Sequence, residues 1–148
     1  MNAYDHVEIL LVEDNPQDAE MLMRALHKHN FVNKLFWVRD GAEALDFLQC
    51  KSEFADRNPG ETPKLVLLDL KMPKVGGLDV LRFIKAEEET RTIPVLMVTS
   101  STEERDMVEC YQLGANGFVV KPVEFGAFTE AVAKIGMYWL MVNRVPGA

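Results

Sequence analysis

Six side chains with phosphoryl or metal chemistry in reach each follow an apolar run in this 148-residue chain. Glu13 and Asp14 follow "ILLV" (9–12), Asp69 follows "LVLL" (65–68), Thr99 and Ser100 close "PVLMVTS" (94–100), and Lys121 follows "GFVV" (117–120). A carboxylate such as Asp69, at the end of a run that reads as a strand buried on both faces, is expensive to desolvate unless something compensates it. If the runs are strands of one sheet, the three carboxylates meet at one edge and raise one another's pKa. A divalent cation offsets that repulsion. Hard oxygen ligands, with no histidine or cysteine among them, suit Mg²⁺ better than zinc. A carboxylate beside Mg²⁺ can attack a phosphoryl group and form an acyl phosphate. Such transfer needs mostly positioning and charge neutralisation. Mg²⁺ and Lys121 can supply the neutralisation, and Thr99 a hydrogen bond to a phosphoryl oxygen. The product adds roughly −1.5 to −2 charges at one point, the behaviour of a switch more than of a metabolic catalyst.

The elements that must position these groups alternate from end to end. The apolar runs 9–12, 34–38, 65–69, 94–99 and 117–120 read as five strands. Asn15-Pro16 opens a helix as cap and first helical position, with Ala19, Leu22, Met23 and Leu26 on its inner face. Ala44, Leu45 and Leu48 mark a second helix, and Val80, Leu81 and Ile84 a third. Ser101 with Glu104 reads as a capping box for a fourth that Gly114 ends. Phe125, Phe128, Val132, Ile135 and Trp139 mark one face of the last. Five βα units imply an α/β fold, a doubly wound five-stranded parallel sheet with helices on both faces. Such sheets bind ligands beyond the C-terminal ends of their strands. The polar stretch "KSEFADRNPGETPK" (51–64) breaks the rhythm and reads as an extended loop, by default a tolerated surface insertion.

Composition narrows the classes. The chain is long enough to fold as one domain without disulfides or a structural metal. Its two cysteines, Cys50 and Cys110, match no metal-ligand spacing and fit a reducing compartment. The N-terminus lacks signal-peptide character, and the apolar stretch "MYWLMV" is too short to span a bilayer. A net charge of −7 disfavours nucleic acid. A cytoplasmic protein with neither membrane nor nucleic acid among its partners is expected.

"LLVEDN", "LVLLDLKMPKVGG", "VTSS" and "FVVKP", in this order and spacing, resemble the CheY-like receiver domains of two-component response regulators, over about residues 7–142. The resemblance implies a flavodoxin-like sheet of strand order 2-1-3-4-5 and one receiver domain over residues 1–148. It implies that Asp69 accepts a phosphoryl group from a phosphohistidine of a sensor histidine kinase. Glu13, Asp14 and Asp69 would hold Mg²⁺ with the backbone carbonyl of Lys71. Thr99 would be the switch hydroxyl, Phe118 the aromatic that moves with it, and Lys121 the phosphate-binding lysine before an expected cis Pro122. Glu13 stands where many members have Asp, and the sequence leaves open whether it meets the metal directly or through water. Lys71 and Ser101 flank the phosphoryl site, and Gly77 is expected at a positive-φ turn position.

A chain stopping at Ala148 leaves no room for an output domain, so signalling by contact with a downstream protein is expected. The apolar helix end and tail, residues 137–148, carry Met137 to Val142 consecutively and cover every side of a helix, which points to an interface. That tail and the 51–64 loop resemble the single-domain regulators paired with cyanobacterial and bacterial phytochromes. The likeness implies a phytochrome-type kinase and a homodimer through Tyr138, Trp139 and Met141. Two competing functions rank lower. A Mg²⁺-dependent phosphatase with an aspartyl nucleophile needs a second acid near it, where this chain has Lys71. A nucleotide- or flavin-binding protein needs a glycine-rich turn where this chain has the acidic "VEDNP".

Overall fold

The computed structural model describes residues 4, 6–28, 34–121, 126, 127, 130 and 134. Five strands, β1 (Ile9–Val12), β2 (Leu35–Val38), β3 (Leu65–Leu68), β4 (Val95–Thr99) and β5 (Gly117–Val120), form one parallel sheet in the order β2-β1-β3-β4-β5. The helices between them are α1 (Pro16–Lys28), α2 (Gly41–Gln49), α3 (Gly77–Ala86) and α4 (Glu104–Gln112). The fold class and strand order are those expected from the sequence, and each strand lies within a residue of its apolar run.

Every residue of β1, β3 and β4 is buried, while the edge strands β2 and β5 are mostly half-buried or exposed. This is the signature of a parallel sheet covered on both faces. Alternate residues feed two cores. Ile9, Leu11, Leu65, Leu67, Leu96 and Val98 pack with Ala19, Leu22, Ala25 and Leu26 of α1. Leu10, Val12, Val66, Leu68, Val95 and Met97 pack with α2, α3 and Cys110 of α4. Helix starts and stops follow local chemistry. Asn15 Oδ1 accepts from the N–H groups of Gln17 and Asp18, and Asp40 Oδ1 accepts from that of Glu43. Gly114, at φ 105, terminates α4 as expected. The Ser101–Glu104 capping box does not form. Ser101 Oγ donates instead to Asp106 Oδ2 at 2.6 Å and accepts from the Glu103 N–H, so one hydroxyl ties the loop after β4 to the first turn of α4.

The 51–64 segment is anchored more firmly than a surface insertion. A 3-10 turn, Ser52–Phe54, inserts Phe54 among Tyr4, Phe36 and Phe47, with ring centroids 5.0 to 5.7 Å away. Arg57 is buried against the end of α2. Its guanidinium lies 4.0 Å over the Phe47 ring and donates to the Phe47 carbonyl and, at 2.6 Å, to the Glu61 carbonyl. The Phe47 carbonyl at the helix end and the Glu61 carbonyl in the loop offset part of the cost of burying the guanidinium. Phe54, Arg57 and Pro63 are buried, while most of the other residues of the segment, the tip Asn58–Gly60 among them, keep the exposed character expected of the loop.

Of the last helix, Gly126, Ala127, Glu130 and Lys134 are described; they are helical and exposed, at spacings that share one face. Its apolar positions, Pro122, and Tyr138, Trp139 and Met141 lie outside the described residues. Phe54→Ala is expected to lower the unfolding free energy by about 3 kcal/mol in urea titration, the cost of emptying a buried aromatic site. A residue on a tolerated insertion would change it by less than about 0.5 kcal/mol.

Candidate functional site

Glu13, Asp69 and Lys121 each sit one residue beyond a strand because the backbone ladder runs one rung further. The Glu13 N–H donates to the Val38 carbonyl, that of Asp69 to Val12, and that of Lys121 to Thr99, at 3.1, 3.0 and 2.8 Å. All the strands are parallel, so these continuations place carboxylates and lysine at the same sheet edge, as the sequence pattern required.

The Asp69 carboxylate is 7% exposed, and its Oδ1 accepts the N–H of Leu70 at 2.8 Å, which fixes its rotation. Glu13 is 1% exposed; Oε2 accepts the Asn15 N–H, while buried Oε1 has no hydrogen-bond donor directed at it. Asp14 is exposed. Lys121 Nζ lies 2.7 Å from Glu13 Oε1, off the line of a hydrogen bond, and 3.7 Å from Asp69 Oδ2. It donates to Asp18 Oδ2 at 2.8 Å. Burial pushes the Glu13 carboxyl up to about 8, against the downward pull of Lys121 and with the Asp69 charge adding to the rise. Burial alone would lower the Lys121 ammonium, but the contacts with Asp18 and Glu13 and the Asp69 charge outweigh it and raise its pKa.

One oxygen from each of Glu13, Asp14 and Asp69 lies within 4.8 Å of the others, close enough for a single cation to touch all three. The residues fit a hard divalent metal. The three oxygens are all carboxylate, and the buried Glu13 Oε1 has only the Lys121 ammonium beside it, at 2.7 Å. Lys71, whose carbonyl the resemblance adds to this set, is exposed two residues beyond Asp69.

Thr99, 1% exposed at the end of β4, accepts the Ser101 N–H through Oγ1 at 3.2 Å. Phe118 is half-buried on β5 against the core. Two contributors were missed in the sequence. Asp18 stands on the first turn of α1, where an acidic residue reads as a favourable partner of the helix dipole and nothing more. Trp37 donates its indole N–H to the Glu13 carbonyl at 2.8 Å, clamping the turn that presents Glu13 and Asp14. Its place in an apolar strand gave no signal of this.

The glycine pair behind Asp69 acts differently from expectation. Gly77 does not hold a positive φ; among the described glycines only Gly114 does. Gly77 opens α3 and is pressed against the strand end that carries Asp69: a Cβ there would meet the Asp69 carbonyl oxygen at 2.1 Å. The left-handed residue of this loop is Lys74, at φ 66.

The response regulator receiver domain family matches residues 9–133. The chain belongs to that family. Among curated relatives, the probable methanogenesis regulatory protein FilR2 of Methanothrix harundinacea (strain 6Ac) is 42% identical over 147 residues, 99% of this chain and 92% of its own length. Among solved structures, the phosphorylated cyanobacterial phytochrome response regulator RcpA superposes with a TM-score of 0.88 at 33% identity, covering 96% of this chain and 99% of that one. The Mn(2+)-bound form of response regulator Rcp1 gives 0.87 at 33%, covering 95% and 99%. The chain is thus a receiver domain, similar to phytochrome response regulators. Among the described residues no helix is long and apolar enough to cross a membrane.

Gly77→Ala is expected to cost about 1–3 kcal/mol in urea denaturation, because its methyl group must displace the Asp69 backbone. Gly76→Ala, at an ordinary φ of −81 and with nothing nearer than 3.7 Å to a Cβ, should cost far less.

Proposed function

We propose that this receiver is a phosphoacceptor switch in which Asp69 takes a phosphoryl group from a phosphohistidine of a sensor histidine kinase. The observation that carries the reading is the convergence of Glu13, Asp14 and Asp69 oxygens within 4.8 Å, with the Lys121 ammonium beside them. An Asp69 carboxylate oxygen attacks phosphorus, the O–P bond forms, and the N–P bond to the donor imidazole breaks. The electron pair leaves with that nitrogen, which takes up a proton. Leu70 N–H holds Oδ1, so the carboxylate presents Oδ2 toward Lys121. Lys121 and Thr99 then receive the new phosphoryl oxygens, Thr99 by exchanging its bond with Ser101 for one to phosphate.

Mg²⁺, held by Glu13, Asp14, Asp69 and the Lys71 carbonyl, would supply neutralisation of charge on the transferring group. The relative Rcp1 has a Mn(2+)-bound form, which supports a divalent metal at this cluster. Movement of Thr99 draws Phe118 inward from β5, and the altered β4–β5 surface is read by a downstream protein. The likeness to RcpA and Rcp1 supports a phytochrome-type kinase as donor in the cytoplasm. The consecutive apolar residues at the chain's end, Tyr138, Trp139 and Met141 among them, support a homodimer.

With acetyl phosphate and Mg²⁺, intact mass should show one base-labile phosphoryl group on the parent protein, and none on Asp69→Asn or after chelation of the metal by EDTA. Equal label on Asp69→Asn would refute the assignment. Sedimentation velocity is expected to read a dimer that Trp139→Ala dissociates to monomer.

A further inference from the structure

We propose that Asp18 is the positioning residue of Lys121, holding its ammonium where the phosphoryl group will arrive. The inference rests on the receiver reading above and adds a residue to its machinery. An ammonium has three donors and no directional preference of its own, on a stem of four flexible carbons. Left alone, such a side chain would settle on whichever carboxylate lies nearest. Here Asp18 Oδ2 fixes one donor at 2.8 Å from a helix turn, a rigid platform that carries no part of the metal cluster. Glu13 Oε1 holds the ammonium from a second side at 2.7 Å. Asp69 Oδ2 is 3.7 Å away, too far for a hydrogen bond. A phosphoryl group bonded to Asp69 would project its oxygens into that gap and meet an N–H that Asp18 does not hold, without displacement of the lysine. The geometry is preorganised for the charge that develops during transfer and not for the resting carboxylate.

Asp18 is 30% exposed at its side chain and Lys121 9%, so the pair forms on the solvent side of a nearly closed ammonium. Asp18 also restores charge balance. If Glu13 and Asp69 were its only anionic neighbours, the ammonium would lose their undivided hold once both turned to a cation. Asp18 is not one of the three clustered carboxylates and would keep its bond to the ammonium.

The test is the rate of phosphorylation by acetyl phosphate at saturating Mg²⁺, followed by intact mass, for parent, Asp18→Asn, Asp18→Glu, Lys121→Met and the double variant Asp18→Asn/Lys121→Met. Asp18→Asn should be slower by about tenfold, the cost of a loosened catalytic group. Its Mg²⁺ affinity by calorimetry should stay within about twofold, and Asp18→Glu should recover most of the rate. In the Lys121→Met background, Asp18→Asn should have no further effect, since it acts through the lysine. Asp18→Asn as fast as the parent or faster, an additive double variant, or a parallel loss of Mg²⁺ binding would each overturn the proposal while leaving the receiver reading intact. A parent protein that takes no phosphoryl group would overturn both.

Discussion

The ammonium of Lys121 allows the rest of this sheet edge to exist. Glu13 and Asp69 are carboxyl groups nine-tenths or more buried at adjacent strand ends, a placement that desolvation and mutual repulsion both oppose. One cation between them offsets part of that cost, and burial still keeps Glu13 well above the ordinary carboxylate range. The single ammonium therefore offsets the burial of Glu13 only in part. In the function proposed above, a divalent ion would add positive charge there, and a transferring phosphoryl group would redistribute the charge on Asp69.

Around that interaction the scaffold is stiff where it must be. Backbone bonds that prolong the strand ladder fix Glu13, Asp69 and Lys121 by their main chains, and Gly77 lets α3 press directly on the Asp69 carbonyl. Trp37 reaches across from the edge strand to hold the Glu13 carbonyl, and Arg39 stacks 5.0 Å over its ring. At the other end of the sheet the ties are between neutral acceptors and one lysine. Lys85 Nζ donates to the carbonyls of Arg91 and Ile93 and to Asn116 Oδ1, which also accepts the Val95 N–H. Burial lowers the pKa of that ammonium, since neutral oxygens do not replace lost hydration fully. The two lysines show opposite outcomes of the same desolvation, decided by whether carboxylates stand opposite.

The sequence made the fold and most of the site legible because strand ends are a periodic signal. Four apolar runs each ended in a residue type the chemistry needs, and parallel topology does the rest. Contacts set by helix rotation were invisible. Asp18 reaches Lys121 across 103 positions only because α1 lays its first turn over the strand ends. Ser101 looked like half of a capping box because Glu104 lies three residues on, yet the loop turns its hydroxyl to Asp106. Gly77 reads as a positive-φ turn glycine, whereas its lack of a side chain serves close approach and Lys74 takes the left-handed conformation. Phe54 and Arg57 have no periodicity to announce them; a lone aromatic and a lone arginine in a polar stretch look solvent-facing until an aromatic cluster and a helix end are placed beside them.

That anchoring divides the 51–64 segment into parts with different freedom. Phe54 and Arg57 fasten its first half to α2, and the chain enters β3 at Leu65, so the exposed tip Asn58–Gly60 stands at the sheet edge remote from Asp69. A fluorophore, affinity handle or whole inserted domain grafted between Asn58 and Gly60 would ride on a fastened stem, at the opposite end of β3 from Asp69.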